Sequence, residues 1–346
     1  MKRKTRSLSI LARTGVTAVC AAGLLAVGGP AAAQRQNVLP DWSPVPPPPA
    51  RGEVVVVPVK GNVYMIAGAG ANIAVQAGDD GLVLVDTGTA DMTEEVIAAI
   101  ETIPTGGPLR YIINTTHDLD YTGGNEAIVV TGEIVPLRGE NYGAGPQGIL
   151  DYGRASLISH LNVFTRMVVP ESGEERPEGA WPDNTYSTPH KRLYFNDEPI
   201  VISHLPANND GNSIVLFRGS DVLAVGPMLD LTRFPVIDVA SGGSIDGFVD
   251  ALNSLIDVVV PLANSGGGTL VIPGYGRIAD HAEVVYYRDM MTVVRDRIQD
   301  MIDRDLTLGE IQAARPTRGY DALYGSERGD WTTDMFVEAA YNSLAN

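Results

Sequence analysis

The chain is expected to fold as a layered α/β protein, and three features of its sequence carry that expectation. Short β-branched runs punctuated by glycine recur from Glu53 onward. Continuous apolar runs that end in polar, glycine-containing loops read as buried strands. Stretches with apolar residues three and four apart read as helices between them, and this alternation predicts sheets covered by helices.

The elements follow in chain order. Val54 to Val59, Val63 to Ala67 and Ile73 to Ala77 are expected strands separated by glycine turns. Gly68-Ala69-Gly70 is one of these turns and not a phosphate loop, because no helix follows it. Gly81-Leu-Val-Leu-Val-Asp86 is a buried strand running into Asp86-Thr87-Gly88. Thr93 to Ile103 places Val96, Ile97, Ile100 and Ile103 on one helical face. Leu109 to Asn114 is a further strand, ending in a polar loop from Thr115 to Asn125. Ile149, Leu157, Leu161, Phe164 and Met167 predict a helix over roughly 147–169, and 170–190, rich in Pro, Glu and Gly, predicts a loop. Strands return at 199–205, 213–218, 221–226 and 269–273. Ser244 caps an expected helix to Ile256 with Phe248, Leu252 and Leu255 inward. The chain is helical after Asp280, and Thr307 with Glu310 forms an expected capping box.

Composition sets the outer bounds. The 346 residues carry 25 Lys+Arg against 42 Asp+Glu, a net charge of −17, with 44% hydrophobic residues and one cysteine. That hydrophobic share supports a folded protein. One cysteine excludes a disulfide framework and a thiolate zinc site. The acidic balance argues against nucleic acid, whose phosphates are held mainly by Lys and Arg.

Residues 1–33 read as a secretory signal. Lys2, Arg3, Lys4, Arg6 and Arg13 precede an apolar run from Val16 to Val27, and Ala31-Ala32-Ala33 has the small-residue pattern of a cleavage site. The run is short for a membrane span. Cys20 is not expected to carry lipid, because Val19 precedes it and the apolar run continues past it. Cleavage would leave an acidic, cysteine-free protein, expected to be periplasmic or secreted and not membrane-bound. Residues 34–52, with Pro40, Pro44 and Pro46 to Pro49, form an expected extended arm. The expected body is 53–282, followed by a helical extension over 283–346.

Four segments in register resemble the metallo-β-lactamase fold superfamily. They are Leu84-Val85-Asp86-Thr87-Gly88, Asn114-Thr-Thr-His-Asp-Leu-Asp-Tyr-Thr-Gly-Gly-Asn125, Pro206-Ala-Asn-Asn-Asp-Gly-Asn-Ser213 and Val271-Ile-Pro-Gly-Tyr-Gly276. The resemblance covers about Val54 to Asp280 and implies an αββα sandwich of two mixed sheets flanked by helices. It also implies one or two zinc ions held by an HxHxDH motif, a later His, a bridging Asp and a final His, which generate hydroxide near neutral pH.

Matched position by position, the implied ligands are largely replaced. The HxHxDH positions fall on Thr116, Asp118, Asp120 and Tyr121, and the later His on Asn208. The bridging Asp falls on Pro227 and the final His on Tyr275. Only Asp120 keeps the family's residue. Zinc sites use Cys, His and carboxylates, with at least three protein ligands in catalytic centres. Thr116 and Asn208 offer neutral oxygens that suit hard cations better. Pro227 offers nothing, and Tyr121 and Tyr275 would have to ionise from a pKa near ~10. The turns around these positions, Thr122-Gly123-Gly124-Asn125, Asp210-Gly211 and Pro273-Gly274, are intact, and their glycines supply conformations other residues resist.

The expected function is therefore that of a pseudo-hydrolase. Its remnant pocket of Thr116, Asp118, Tyr121, Asn208, Pro227 and Tyr275 would take a small molecule or a periplasmic protein. The alternative is a hydrolase of ester, amide or lactam bonds that uses an altered site, with Asp120 as catalytic group and Asp118 and Asp120 as weak metal ligands. No cofactor is expected; zinc would be, if the family likeness outweighed the lost ligands. His117 lies between ligand positions and is expected to be structural or solvated. His160 is expected within a helix, His204 at the pocket rim or in the core, and His190 and His281 in loops or on the surface. Trp181 and Trp331 are expected packing anchors, and Trp42 could dock the arm.

Overall fold

The computed structural model describes residues 53–133, 153–170, 176–262 and 267–345. The expected signal, the proline arm with Trp42, and residues 147–152 of the expected helix lie outside the described residues.

A seven-stranded sheet is built from β1 (Val55–Lys60), β2 (Val63–Ala67), β3 (Ile73–Gly78), β4 (Gly81–Val85), β5 (Leu109–Ile113), β6 (Ser156–His160) and β7 (Asn184–Tyr186), side by side in that order. Antiparallel meander pairing joins β1 to β4, and parallel pairing joins β4 to β7. The second sheet has five strands: β8 (His190–Phe195), β9 (Glu198–His204), β10 (Ser213–Phe217), β11 (Val222–Ala224) and β12 (Leu270–Ile272). Their order is β12-β11-β10-β9-β8, with β11 and β12 parallel and the others antiparallel.

Two-residue alternation sorts the side chains into layers. On β4, Val83 and Val85 join Met65, Ile113, Ile202, Val215 and Phe217 in the core between the sheets. Leu82 and Leu84 point the other way, into a core with Ile112, Leu157, Met92 and Val96. That outer layer belongs to α1 (Thr93–Glu101), whose Val96 and Ala99 are buried. On the far side, Ile214, Leu223 and Val271 of the second sheet pack with Phe248, Leu252, Tyr287, Val294 and Phe336. Those come from α5 (Ile245–Val258), α6 (His281–Asp303) and α9 (Thr333–Ala345). The result is an αββα sandwich of two mixed sheets with helices outside, thickened on one face by C-terminal helices. The helices from α6 onward share the core of the second sheet.

Helix starts follow the local chemistry. Ser244 caps α5 by accepting from Gly247 N at 2.9 Å. Asp280 and Glu283 form a capping box at α6, and Thr307 and Glu310 form one at α7 (Leu308–Ala314). Each box satisfies amide groups that would otherwise be orphaned, worth about 1 kcal/mol. Among the described residues no helix is long and apolar enough to cross a membrane.

Three expectations are corrected. Residues 156–160, placed in a helix, form the buried parallel strand β6, and only α4 (Leu161–Val168) is helical. The polar loop from Thr115 to Asn125 contains α2 (Leu119–Thr122) and the start of α3 (Asn125–Val129). The segment read as loop over 170–190 contains β7, which pairs with β6. The chain ends with the short α8 (Asp321–Tyr324) and α9.

Candidate functional site

The site forms where the strands of both sheets run out at one edge. β4 is followed by Asp86, β5 by Asn114, β11 by Val225 and β12 by Pro273, and the β9–β10 turn contributes 205–212. Ser213 N donates to Thr115 O at 2.9 Å, which ties the second sheet's turn to the first sheet's loop. Gly226 has φ +52°, and a side chain there would run into the Thr115 hydroxyl. Glycine is required by both the conformation and the space.

Asp86 holds the base of the site. It is buried, adopts φ +64°, and accepts from Thr115 N at 2.8 Å and Thr115 Oγ1 at 2.6 Å. Burial pushes its carboxyl up to about 7, although both Thr115 hydrogen bonds pull the other way. Beside it, Thr87 Oγ1 and Asn114 Nδ2 donate to Asn125 Oδ1, and Asn125 Nδ2 returns to Asn114 Oδ1. These amides lock the motif loop onto the strand ends.

A cavity of about 270 Å³ opens at this edge, and Asp118, Asp120, Tyr121, Asn208, Pro227 and Tyr275 all line it. Thr116 is fully buried beneath and is not part of the lining. Asp118 precedes α2 and Asp120 lies in its first turn, so a helical turn, not an extended loop, brings both to one side. Sequence reasoning missed Leu119, Asp230, Arg233, Pro235 and Val236, which complete the wall. The opposite charges of Asp230 and Arg233, three residues apart just after Val225-Gly226, were a signal for two of these. Asp230 Oδ2 accepts from Arg233 Nε at 3.1 Å, and the guanidinium carbon lies 5.4 Å from the Tyr275 ring centre. Burial raises the Asp230 carboxyl above its ordinary value, against the pull of Thr232 and Arg233.

The replaced positions hold one another. Tyr275 Oη donates to Asp120 Oδ2 at 2.6 Å. Asn208 Nδ2 and Thr116 Oγ1 donate to Asp118 Oδ2 at 3.1 and 3.0 Å. Asn208 Oδ1 already accepts from Asn209 Nδ2 and Asn212 Nδ2, and Thr116 Oγ1 accepts from Asn209 Nδ2. The neutral oxygens at these positions are therefore engaged within the protein. Burial drives the Tyr121 phenol well above its usual range; burial and then the bond to Asp120 raise that of Tyr275. Both phenols stay protonated at neutral pH, so neither offers an anionic metal ligand. This donor set does not fit zinc, which needs at least three Cys, His or carboxylate ligands. Among the described residues no three such groups are placed to hold a metal ion.

The histidines sort as follows. His117 is not in the cavity lining; its Nε2 stands 3.8 Å from Asp118 Oδ1 and 3.9 Å from Asp238 Oδ2. His160, expected within a helix, ends β6 and caps α4, its Nδ1 accepting from Asn162 N. It stacks on His204 with ring centres 3.6 Å apart, and burial followed by His204 lowers it to about 4. His204 Nε2 bonds Asp210 O at 2.8 Å, bracing the turn that carries Asn208. His190 is the exposed first residue of β8, and His281 is the first residue of α6. Trp181 packs on Val163 and Met167 and edges Phe164, and Trp331 packs against the C-terminal core. A second groove of about 780 Å³ lies among α7, α8 and α9, and none of the site residues lines it.

A family model of the metallo-β-lactamase superfamily matches residues 56–274. That is more than half of the chain, and the chain belongs to this superfamily. No curated protein matches it. Among solved structures, a double mutant of the sec-alkyl sulfatase PisA1 superposes with TM-score 0.59 at 16% identity over 84% of this chain. The stereoselective inverting sec-alkylsulfatase Pisa1 from Pseudomonas sp. gives 0.57 at 14% identity over 84%. The chain spans 50% of the length of each. A metallo-β-lactamase from Pontibacter korlensis is 16% identical, covering 69% of this chain and 99% of its own, with TM-score 0.49. At these identities the likeness concerns the fold.

Proposed function

We propose that this is an exported, non-catalytic member of the metallo-β-lactamase superfamily that binds a small ligand in the remnant pocket. One observation carries the reading: the side chains at the former ligand positions satisfy one another around an open cavity. Tyr275 donates to Asp120, while Asn208 and Thr116 donate to Asp118. A zinc hydrolase needs those donors to converge on an ion instead. The basic, apolar and small-residue sequence of residues 1–33 supports export to the periplasm or medium.

The test starts with the purified protein and zinc measured by mass spectrometry before and after loading. Hydrolysis of β-lactam, thioester, lactone, phosphodiester and alkyl sulfate substrates is then screened. The expected result is zinc far below one per chain, no turnover, and a mature N-terminus at Gln34. Near-stoichiometric zinc with chelator-sensitive turnover would overturn it. Zinc-independent turnover lost in Asp120→Asn would favour an altered hydrolase site instead.

A further inference from the structure

Resting on that reading of the cavity, we propose that its ligand is a small organic cation, an ammonium group carried on a short apolar body. The lining has two kinds of wall. Leu119, Pro227, Pro235 and Val236 present apolar surface, and Asp118 and Asp120 present carboxylates. The volume, about 270 Å³, lies just below the usual range of small-molecule sites and suits on the order of ten heavy atoms.

Charge selects the sign of the ligand. The lining holds three carboxylates and one guanidinium. Arg233 is spent on Asp230 at 3.1 Å and on the Tyr275 ring, so that pair is internally neutral. Asp118 and Asp120 remain. Their side-chain hydrogen-bond partners are neutral donors, which hold a carboxylate without cancelling its charge. His117 stands outside the lining between Asp118 and Asp238, so any charge it carries is shared with a carboxylate beyond the cavity.

Hydrogen-bond polarity gives the same answer. Asp118 and Asp120 each engage through Oδ2, and among the described residues their Oδ1 atoms accept no hydrogen bond. An ammonium group brings only donors and meets acceptor-only oxygens. A carboxylate or sulfate would meet like charge, and a neutral alcohol would leave both carboxylates uncompensated. The chain's net charge of −17 raises the local concentration of cations around the cavity mouth.

Calorimetric titration of the full-length purified protein at low ionic strength tests the proposal. The probes are benzylamine, its neutral and anionic counterparts benzyl alcohol and benzoate, and magnesium chloride alone. Benzylamine should bind at one site, at least ~10-fold more tightly than benzyl alcohol, with no heat from benzoate. Asp120→Asn and the near-isosteric Asp118→Asn should each weaken it roughly tenfold. Asp289→Asn, on the exposed face of α6, should leave affinity within about twofold. A single cooperative thermal transition in each variant confirms that it folds. Saturable benzyl alcohol or benzoate binding that matches benzylamine would overturn the cation while leaving the pocket reading in place. Absence of benzylamine binding, or displacement of benzylamine by millimolar magnesium, would also overturn it. Stoichiometric zinc with turnover would sink the underlying reading, a result visible in the metal analysis and not in these titrations.

Discussion

Replacing Asp86 with asparagine should make the protein more stable at alkaline pH and leave it nearly unchanged in acid. The native carboxyl is buried and displaced from its ordinary 3.8 to about 7, chiefly by desolvation. Between those values the folded protein keeps a proton that the unfolded chain has released. The unfolded state therefore binds fewer protons, and stability falls as pH rises through roughly 4 to 7. Three units at about 1.4 kcal/mol each bound the effect at ~4 kcal/mol, fully expressed above about pH 8. Asparagine removes that titration at little structural cost. It tolerates the left-handed backbone of position 86 better than most residues. Its carbonyl can take Thr115 N, and its amide can donate to Thr115 Oγ1 in place of the present 2.8 and 2.6 Å contacts.

The assay is urea unfolding of both proteins at pH 5, 6, 7 and 8 and constant ionic strength. Taking the difference between variant and parent removes groups common to both. That matters because His160, lowered to about 4 in the fold, contributes with the opposite sign: its stability gain grows as pH rises from about 4 to 6.5. The variant's advantage should grow by roughly 2–3 kcal/mol from pH 5 to pH 8. A difference flat to within about 0.5 kcal/mol across that range would refute the assignment of a raised Asp86. Thr115→Val, which deletes one stabilising donor, should shift the parent's transition to still higher pH.

Two further outcomes concern the scaffold. Glu198→Gln should cost about 1–3 kcal/mol in denaturant titration, since Glu198 accepts from Gln76 Nε2, Gly219 N, Ser220 N and Ser220 Oγ. An amide cannot accept at all four places. Gly274→Ala should cost on the order of 1–3 kcal/mol and shift the Tyr121 absorbance, because its methyl would collide with Tyr121 Oη and the Gly226 carbonyl.

Much of this architecture was legible because alternation and burial coincide. Val83 and Val85 face one core and Leu82 and Leu84 the other, so the Gly81-to-Asp86 run reads as a strand buried on both sides. The same doubly buried character hid β6. Ser156 to His160 is buried throughout, shows no polar alternation, and is followed at once by a true helical turn. Leu157 and Leu161 then fall four apart by coincidence of a strand meeting a helix, and periodicity cannot separate the two. β8 was missed for the opposite reason: it is an edge strand with exposed His190, Arg192 and Tyr194, which looks like loop composition. The cavity positions were legible through motif order, whereas Pro235 and Val236 were not. They reach the wall through an irregular segment that follows the turn at 226–228, pinned by the Asp230–Tyr275 bridge, which has no period to read.

On the proposed reading, in which metal-binding imidazoles were lost, the hydrogen bonds at the edge account for why the fold is kept. A ligand shell built for an ion leaves bare carboxylates and strained loops when the ion's affinity is gone, and an unpaired charge at a half-buried edge is costly. Here Thr116 and Asn208 donate to Asp118 and Tyr275 donates to Asp120, while Pro227 brings no donor at all. Bonds of neutral donors to a charged acceptor contribute about 1.5–3 kcal/mol each, enough to hold the loop without metal. They do so through Oδ2 of each carboxylate, leaving its charge in place; the other oxygen of Asp118 stands 3.8 Å from His117 Nε2. Keeping two carboxylates at the mouth of an apolar cavity is what a site with a cationic guest requires.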